Sequence, residues 1–303
     1  MTTKIVLLNG RLYDPKQLTF EKTNILLINT KIVGLGYIPD DDDSTQVDIN
    51  HHYIFPNIFT PITTTTLKTE YPSNNTLINI QKNGITGSGI IPSDPTLNYD
   101  SKMKTLIQKN QQHEFNFFPL HKNTPHSPQM IGLWITKATA AESIKMTIKF
   151  NKPLITTLTC TTVKPLLQTY PKATWHIIIN TLEDLIQFKA LKEQHHSLSL
   201  SIPAHLVTKT TINKIIPYIK NQLITTISTD SDNQTNPLKC FPLLEAELTI
   251  SDIYALYSQN IRNLYQLPIK NIAMNHSPHL SIFNPQNGTL HSIVLNGNYS
   301  PIK

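Results

Sequence analysis

Glycine is scarce in this 303-residue chain, at 9 residues, about half the usual share. The scarcity leaves little room for phosphate cradles built on glycine loops, and neither GxxxxGK followed by Ser or Thr nor GxGxxG occurs. The nearest stretch, Asn83 to Gly89 (NGITGSG), reads as a turn entering a strand. Cysteine is scarcer: Cys160 and Cys240 lie far apart with no CxxC, which excludes a zinc knuckle and a disulfide framework. Charged residues make up only 15%, so Thr, Asn, Ser and Gln carry the polar balance. The net charge of +6 comes from 26 Lys and Arg spread along the chain without a dense cluster. No stacking-aromatic motif accompanies them, so no nucleic-acid partner is expected. The acidic run Asp40 to Asp43 lacks the alternation and glycine of a calcium loop and reads as a solvated connection. No apolar run approaches the roughly 18 residues of a membrane span, and the N-terminal one is too short for a signal peptide. The expected setting is the cytoplasm, away from membranes.

What is present is a globular pattern. Hydrophobic residues make up 39% and recur in short runs, enough for a core and too many for disorder. The first fifty residues read as short strands. KIVLLNG ends in an Asn-Gly hairpin signal, TNILLINTKIVGLG gives two strands about a turn, and STQVDIN gives a third run. The C-terminal HSIVLNGNY has the same texture, which suggests that the ends pair in one small β-sandwich unit of residues 1–53 and 276–303. Between them, over 54–275, strands and helices alternate. Tyr53 to Pro56 looks like the run into a first strand at NIF. FNFFPL, IGLWIT, KPLITTLT, ATWHIIIN, SLSLSIP and LITTISTD read as further strands. NTLINIQKN, ATAAESIKMTIKF, TVKPLLQTY, TLEDLIQFKALKEQ, TINKIIPYIKNQ and SDIYALYSQNIRNLY read as helices, with Thr181 as an N-cap answered by Asp184. About eight strands in such alternation argue for an α/β fold, a TIM-like (β/α)₈ barrel.

Chemistry in a barrel of this kind sits at the C-terminal tips of its strands. After NIF comes Pro61-Ile62-Thr63-Thr64-Thr65-Thr66. The next strand offers Ser93 and Asp94, KPLITTLTC offers Thr157, Thr159 and Cys160, and WHIIINT offers Ile178, Asn180 and Thr181. LSIPAHL adds His205, and TTISTDSDN adds Asp230 and Asp232. A hydrolytic metal site needs three or more converging His or carboxylate ligands and a base for the water. These tips supply mostly hydroxyls and aliphatics. His195-His196 closes a helix, where cations suit the dipole. His176, inside an apolar strand, reads as a satisfied core residue. No GxSxG elbow supports a Ser-His-Asp triad.

These stretches, in order, resemble the dihydroorotases of the amidohydrolase superfamily. KIVLLNGRLYDP, NTKIVGLG with IFPNIFTP, IQKNGITGSGIIPSDP, WHIIINT, LSIPAHL, ISTDSDNQT and FPLLEAELTISDIYALYSQNIRNLYQLP each resemble a segment of that family. The resemblance implies that the family's paired metal histidines fall on Ile62 and Thr64 and its substrate-gripping arginine near Thr66. It likewise puts the family's asparagine on Ser93 and two later metal histidines on Thr157 and Ile178. The catalytic aspartate alone is kept, as Asp230, with Ser231 after it. The chain thus resembles the pseudo-dihydroorotases, non-catalytic homologues found beside aspartate transcarbamoylase. That likeness implies a scaffold subunit in a hetero-oligomer of pyrimidine biosynthesis, without catalytic residues, metal or other cofactor. Two alternatives stand beside it. One is an active cyclic-amide hydrolase, metal-free or with zinc at an atypical or displaced site, which needs His205, Asp230 or Asp232 to converge with ligands such as His121 or His126. The other is a ligand-binding barrel with a pocket lined by Thr64, Thr157 and Asn180.

Overall fold

The computed structural model describes residues 3–36, 38, 43–63, 82–91, 114–117, 132–135, 141–195, 197–230, 236–268 and 272–302. Most of the NTLINIQKN helix, most of the Asp40 to Asp43 run, Thr64 to Thr66, Ser93, Asp94, His121, His126, Ser231 and Asp232 lie outside the described residues.

Strands from both ends of the chain form one eight-stranded mixed sheet. It contains β1 (Lys4–Asp14), β2 (Thr19–Ile28), β3 (Lys31–Gly36), β4 (Thr45–Asp48), β5 (Tyr53–Pro56), β14 (Leu280–Phe283), β15 (Leu290–Leu295) and β16 (Asn298–Pro301). β5 is the joint: it pairs in parallel with β1 and antiparallel with β14. One apolar cluster gathers Leu7, Ile25, Ile32, Ile54, Ile282 and Val294. Ile32 at one edge and Val294 near the other can share it only because the sheet curls, and backbone bonds from β3 to Asn275 and His276 fasten that curl.

The expected hairpin at Asn9-Gly10 is instead a bulge within β1: the register shifts between Leu7 and Gly10, and Asn9 takes φ +58°. The strand continues because its far half has partners of its own, β2 on one side and β5 on the other. Gly10 is needed there, since a Cβ would lie 2.6 Å from Ile54 Cδ1. The turn comes later, between Asp14 and Thr19.

The second sheet contains β6 (Phe59–Thr63), β7 (Gly87–Ile91), β8 (Glu114–Phe117), β9 (Leu133–Trp134), β10 (Leu154–Thr156), β11 (Trp175–Ile178), β12 (Leu198–Pro203) and β13 (Ile224–Asp230). All its pairings are parallel, in the order β8-β7-β6-β13-β12-β11-β10-β9. Helices α1 (Ala141–Lys149), α2 (Cys160–Thr169), α3 (Glu183–Gln194) and α4 (Ile212–Lys220) fill the crossovers, as parallel strands require. Period-two alternation sorts the strand residues by face. Ile58, Leu133, Leu154, Trp175, Ile177, Leu200, Ile202 and Ile227 share a core with Ile144, Val163, Phe188 and Ile215 of the helices. Their neighbours Phe59, Trp134, Ile155 and Ile178 form a separate cluster with Ile261 and Tyr265. That cluster joins β6 to β9 although β13, β12, β11 and β10 stand between them, so the sheet is concave around Tyr265.

The end of the α/β unit is α5 (Phe241–Glu245), then α6 (Ile250–Tyr254), a π-helical turn at Ala255–Gln259, and α7 (Asn260–Leu264). Sequence spacing suggested one regular helix over the last three. The π turn lets Ser258 Oγ and Arg262 Nε both donate to the carbonyl of Asn57, at 2.8 and 3.3 Å. Asn57, at φ +55°, breaks the chain between β5 and β6. The stretch Tyr53 to Thr63 is therefore two strands in two sheets, and Pro61 to Thr63 lie within β6 rather than beyond its tip. Among the described residues, no helix is long and apolar enough to cross a membrane.

Candidate functional site

The concave face and strand tips of the parallel sheet hold those positions singled out by sequence that lie among the described residues. β13 and β6 are neighbours, with Asp230 level with Thr63 and Thr229 level with Ile62. Asp230 is the last residue of its strand. Ile178 is the last residue of β11, level with Ser201 of β12. Its side chain is 3% exposed and packs in the cluster of Phe59, Trp134 and Ile155. Thr157 follows β10, half-buried, and its carbonyl accepts from Asn180 Nδ2 at 2.9 Å, which links the β10 and β11 tips. His205 lies exposed in the short 3₁₀ turn Ala204–Leu206 after β12.

The tips are also tied into the helices behind them. Asp184 Oδ2 accepts from the amide and hydroxyl of Thr181, at 3.1 and 3.2 Å. The helix starts at Glu183 with Leu182 as its N-cap, so Asp184 returns the bond as expected while Thr181 donates its hydroxyl instead of capping an amide. After β12, the Cys240 thiol donates to Ala204 O at 3.4 Å. Burial pushes that thiol up to about 12, which removes it as a nucleophile at neutral pH.

Deeper on the concave face lies a polar layer that sequence did not reveal. Thr226 Oγ1 donates to Ser201 Oγ at 2.7 Å, and Ser228, 1% exposed, has no hydrogen-bond partner for its Oγ among the described residues. His176 is fully buried, with Nδ1 3.0 Å from Ser199 Oγ. Ser199 Oγ donates its single proton to Trp175 O, so Nδ1 carries the imidazole proton and Nε2 is a bare acceptor. Among the described residues Nε2 has no partner, and the ring meets Tyr265 edge-on at 5.9 Å. His176 is therefore half-satisfied, a correction to its reading as a satisfied core residue. Burial pushes its pKa down to about 3.

Zinc, the ion of the alternative hydrolase reading, needs Cys sulfur, His nitrogen or carboxylate oxygen donors. Ile178 offers a hydrocarbon packed against other hydrocarbons, and the Thr157 side chain offers a neutral hydroxyl in place of an imidazole or carboxylate; these two positions do not fit the ion.

Two features that sequence reasoning missed lie away from these strand tips. Arg262 is 0% exposed, with its guanidinium 5.3 Å from the Phe59 ring centroid and Nη1 donating to Pro268 O at 2.9 Å. A lone arginine within the helical pattern QNIRNLY was the available clue. The pair His52 and His291, rings 5.0 Å apart, had no signal in sequence because the two are distant in the chain.

The fold is shared with solved enzymes. A dihydroorotase matches with a TM-score of 0.72 at 14% identity, covering 99% of this chain and 98% of that one. Dihydropyrimidinase from Brevibacillus agri NCHU1002 matches with a TM-score of 0.69 at 9% identity over 99% of this chain and 95% of that one. A β-aspartyl dipeptidase from Fervidobacterium islandicum AW-1 matches with a TM-score of 0.69 at 12% identity, over 98% and 96%. No family model matches the sequence, and no curated protein matches it. At these identities the likeness establishes the fold. The α/β architecture of dihydroorotase and dihydropyrimidinase is the architecture of this chain.

Proposed function

We propose that this protein is a non-catalytic relative of the dihydroorotases that serves as a structural subunit, supporting the assembly and activity of aspartate transcarbamoylase. One observation carries the reading. At the tip of β11, where the family resemblance places a metal-binding histidine, Ile178 is packed into an apolar cluster with Phe59, Trp134 and Ile155. Filling a ligand position with a packed aliphatic side chain keeps the core and removes the donor. Selection that preserves a buried core but not its ligands acts on something other than hydrolysis, and an outer surface is what remains. The fold shared with a dihydroorotase is consistent with descent from such an enzyme.

The test is reconstitution with the aspartate transcarbamoylase catalytic subunit of the same organism. Co-elution in size exclusion at micromolar concentration, with higher transferase activity in the complex, is the expected result. Separate elution with unchanged activity overturns it.

The second reading is a working cyclic-amide hydrolase with an atypical zinc site. It is favoured by Asp230, which stands at the end of β13 and is the family's catalytic aspartate by resemblance. Near-stoichiometric zinc that survives dialysis, together with turnover of dihydroorotate, would establish it instead.

A further inference from the structure

We propose that His52 and His291 form a two-imidazole binding site for a first-row transition ion on the terminal sheet, away from the strand tips described above. His52 immediately precedes β5 and His291 lies within β15, and their ring centroids are 5.0 Å apart at an interplanar angle of 52°. Both residues are half-buried.

The hydrogen bonds set which nitrogen is available. His52 Nδ1 bonds the carbonyl of Ile49, which can only accept, so the proton is on Nδ1 and the lone pair is on Nε2. His291 Nδ1 lies 3.0 Å from Ser292 Oγ, and the hydroxyl can accept from an Nδ1 proton in the same way. A ligating imidazole commonly has this arrangement, donating its second nitrogen's proton to a carbonyl or another oxygen while the first nitrogen holds the metal.

The spacing fits as well. With metal–nitrogen bonds of about 2.0–2.1 Å, each ring centroid lies roughly 3.2 Å from the ion, and two such rings at about 90–110° sit roughly 4.5–5.2 Å apart. The observed 5.0 Å falls in that interval. The backbone holds both residues before any ion arrives. His52 N donates to Ile49 O, Arg11 N to His52 O, and Ile302 N to His291 O, at 2.9, 3.0 and 3.1 Å. Little ordering remains to be done on binding. Two nitrogens without a carboxylate select copper, nickel or zinc over magnesium or calcium, with Cu²⁺ held most tightly.

The experiment titrates the full-length protein with NiCl₂ and with CuSO₄ by calorimetry and by thermal shift, beside His52→Ala, His291→Ala and the exposed-histidine control His51→Ala. The expected result is loss of one equivalent of binding, and of the metal-dependent rise in Tm, in H52A and in H291A but not in H51A. The Cu²⁺ complex should show two equatorial nitrogens by electron paramagnetic resonance. Equal binding by wild type, H52A and H291A overturns the proposal. Should either alanine variant fail to fold, modification of the wild-type protein by diethylpyrocarbonate decides. Protection of both His52 and His291 by Ni²⁺ supports the site, and undiminished modification of both overturns it.

Discussion

The guanidinium of Arg262 lies over the ring of Phe59, 5.3 Å from its centroid, and its Nε donates to the carbonyl of Asn57 two residues earlier in the chain. A single buried side chain from α7 thus fixes both the break between the two sheets and the first strand of the second. Its positive charge is held by carbonyl dipoles and an aromatic face rather than left bare, which is the condition for burying it.

Replacing Arg262 with Met keeps much of the volume and removes every donor of the guanidinium, so the Pro268 carbonyl loses its Nη1 bond and the Asn57 carbonyl keeps only the Ser258 hydroxyl. The expected cost is about 2–4 kcal/mol, read as a lower midpoint in urea unfolding with an unchanged slope. Arg262→Lys should recover only part of it, since one ammonium cannot reproduce the planar fork.

The pH dependence of stability should carry the mark of His176. Its folded-state pKa is depressed to about 3 by burial, against about 6.5 in an unfolded chain. Below pH 6.5 the unfolded chain takes up a proton that the folded protein refuses. The contribution of neutral His176 is therefore present at neutral pH and lost as pH falls from about 6.5 towards 3, at about 1.4 kcal/mol per unit. His176→Leu should flatten the curve in that window. A wild-type and a variant profile that run parallel between pH 6 and 4 would contradict this.

Three glycines should rank differently on conversion to alanine. At Gly297 a Cβ would sit 1.8 Å from Thr30 O, a backbone atom that cannot retreat, and φ is +81°. Gly297→Ala should cost several kcal/mol. Gly10→Ala meets only the flexible ends of Ile54 and Ile49, at 2.6 and 2.7 Å, and should be intermediate. Gly36 has open space and only the strain of φ +90°, so its cost should be about 1 kcal/mol. Chemical denaturation of the three variants gives the order.

Restoring a histidine at one family ligand position should not restore a metal site. Ile178→His places a polar ring among Phe59, Trp134 and Ile155, with an expected loss of about 2–4 kcal/mol. Zinc content after dialysis should equal that of the wild type. Stoichiometric zinc in the variant alone would mean that the remaining donors are in place after all.

The alternation of strands and helices was legible because it rests on local spacing. A parallel strand needs an apolar run, its crossover needs helical periodicity, and both are written within a dozen residues. Trp175 to Ile178 and Glu183 to Gln194 emerged as a strand and a helix for that reason. The half-satisfied His176 was not legible, because its partner Ser199 and its neighbour Tyr265 come from other elements. Likewise, the split of Tyr53 to Thr63 between two sheets depends on Asn57 holding bonds to residues some two hundred positions away, Ser258 and Arg262.

The two Asn-Gly pairs divide what each level decides. Asn296-Gly297, with φ +48° and +81°, makes the two-residue hairpin turn between Leu295 and Asn298 that the dipeptide favours on its own. Asn9-Gly10 carries the same local preference and makes a bulge, because β2 and β5 pair with the strand beyond it and the side chain of Ile54 presses on Gly10. Sequence alone determined where backbone with positive φ was available, since only steric freedom at the residue itself enters there. Tertiary structure decided whether the chain turned back or ran on, since that depends on hydrogen-bond partners supplied by distant strands.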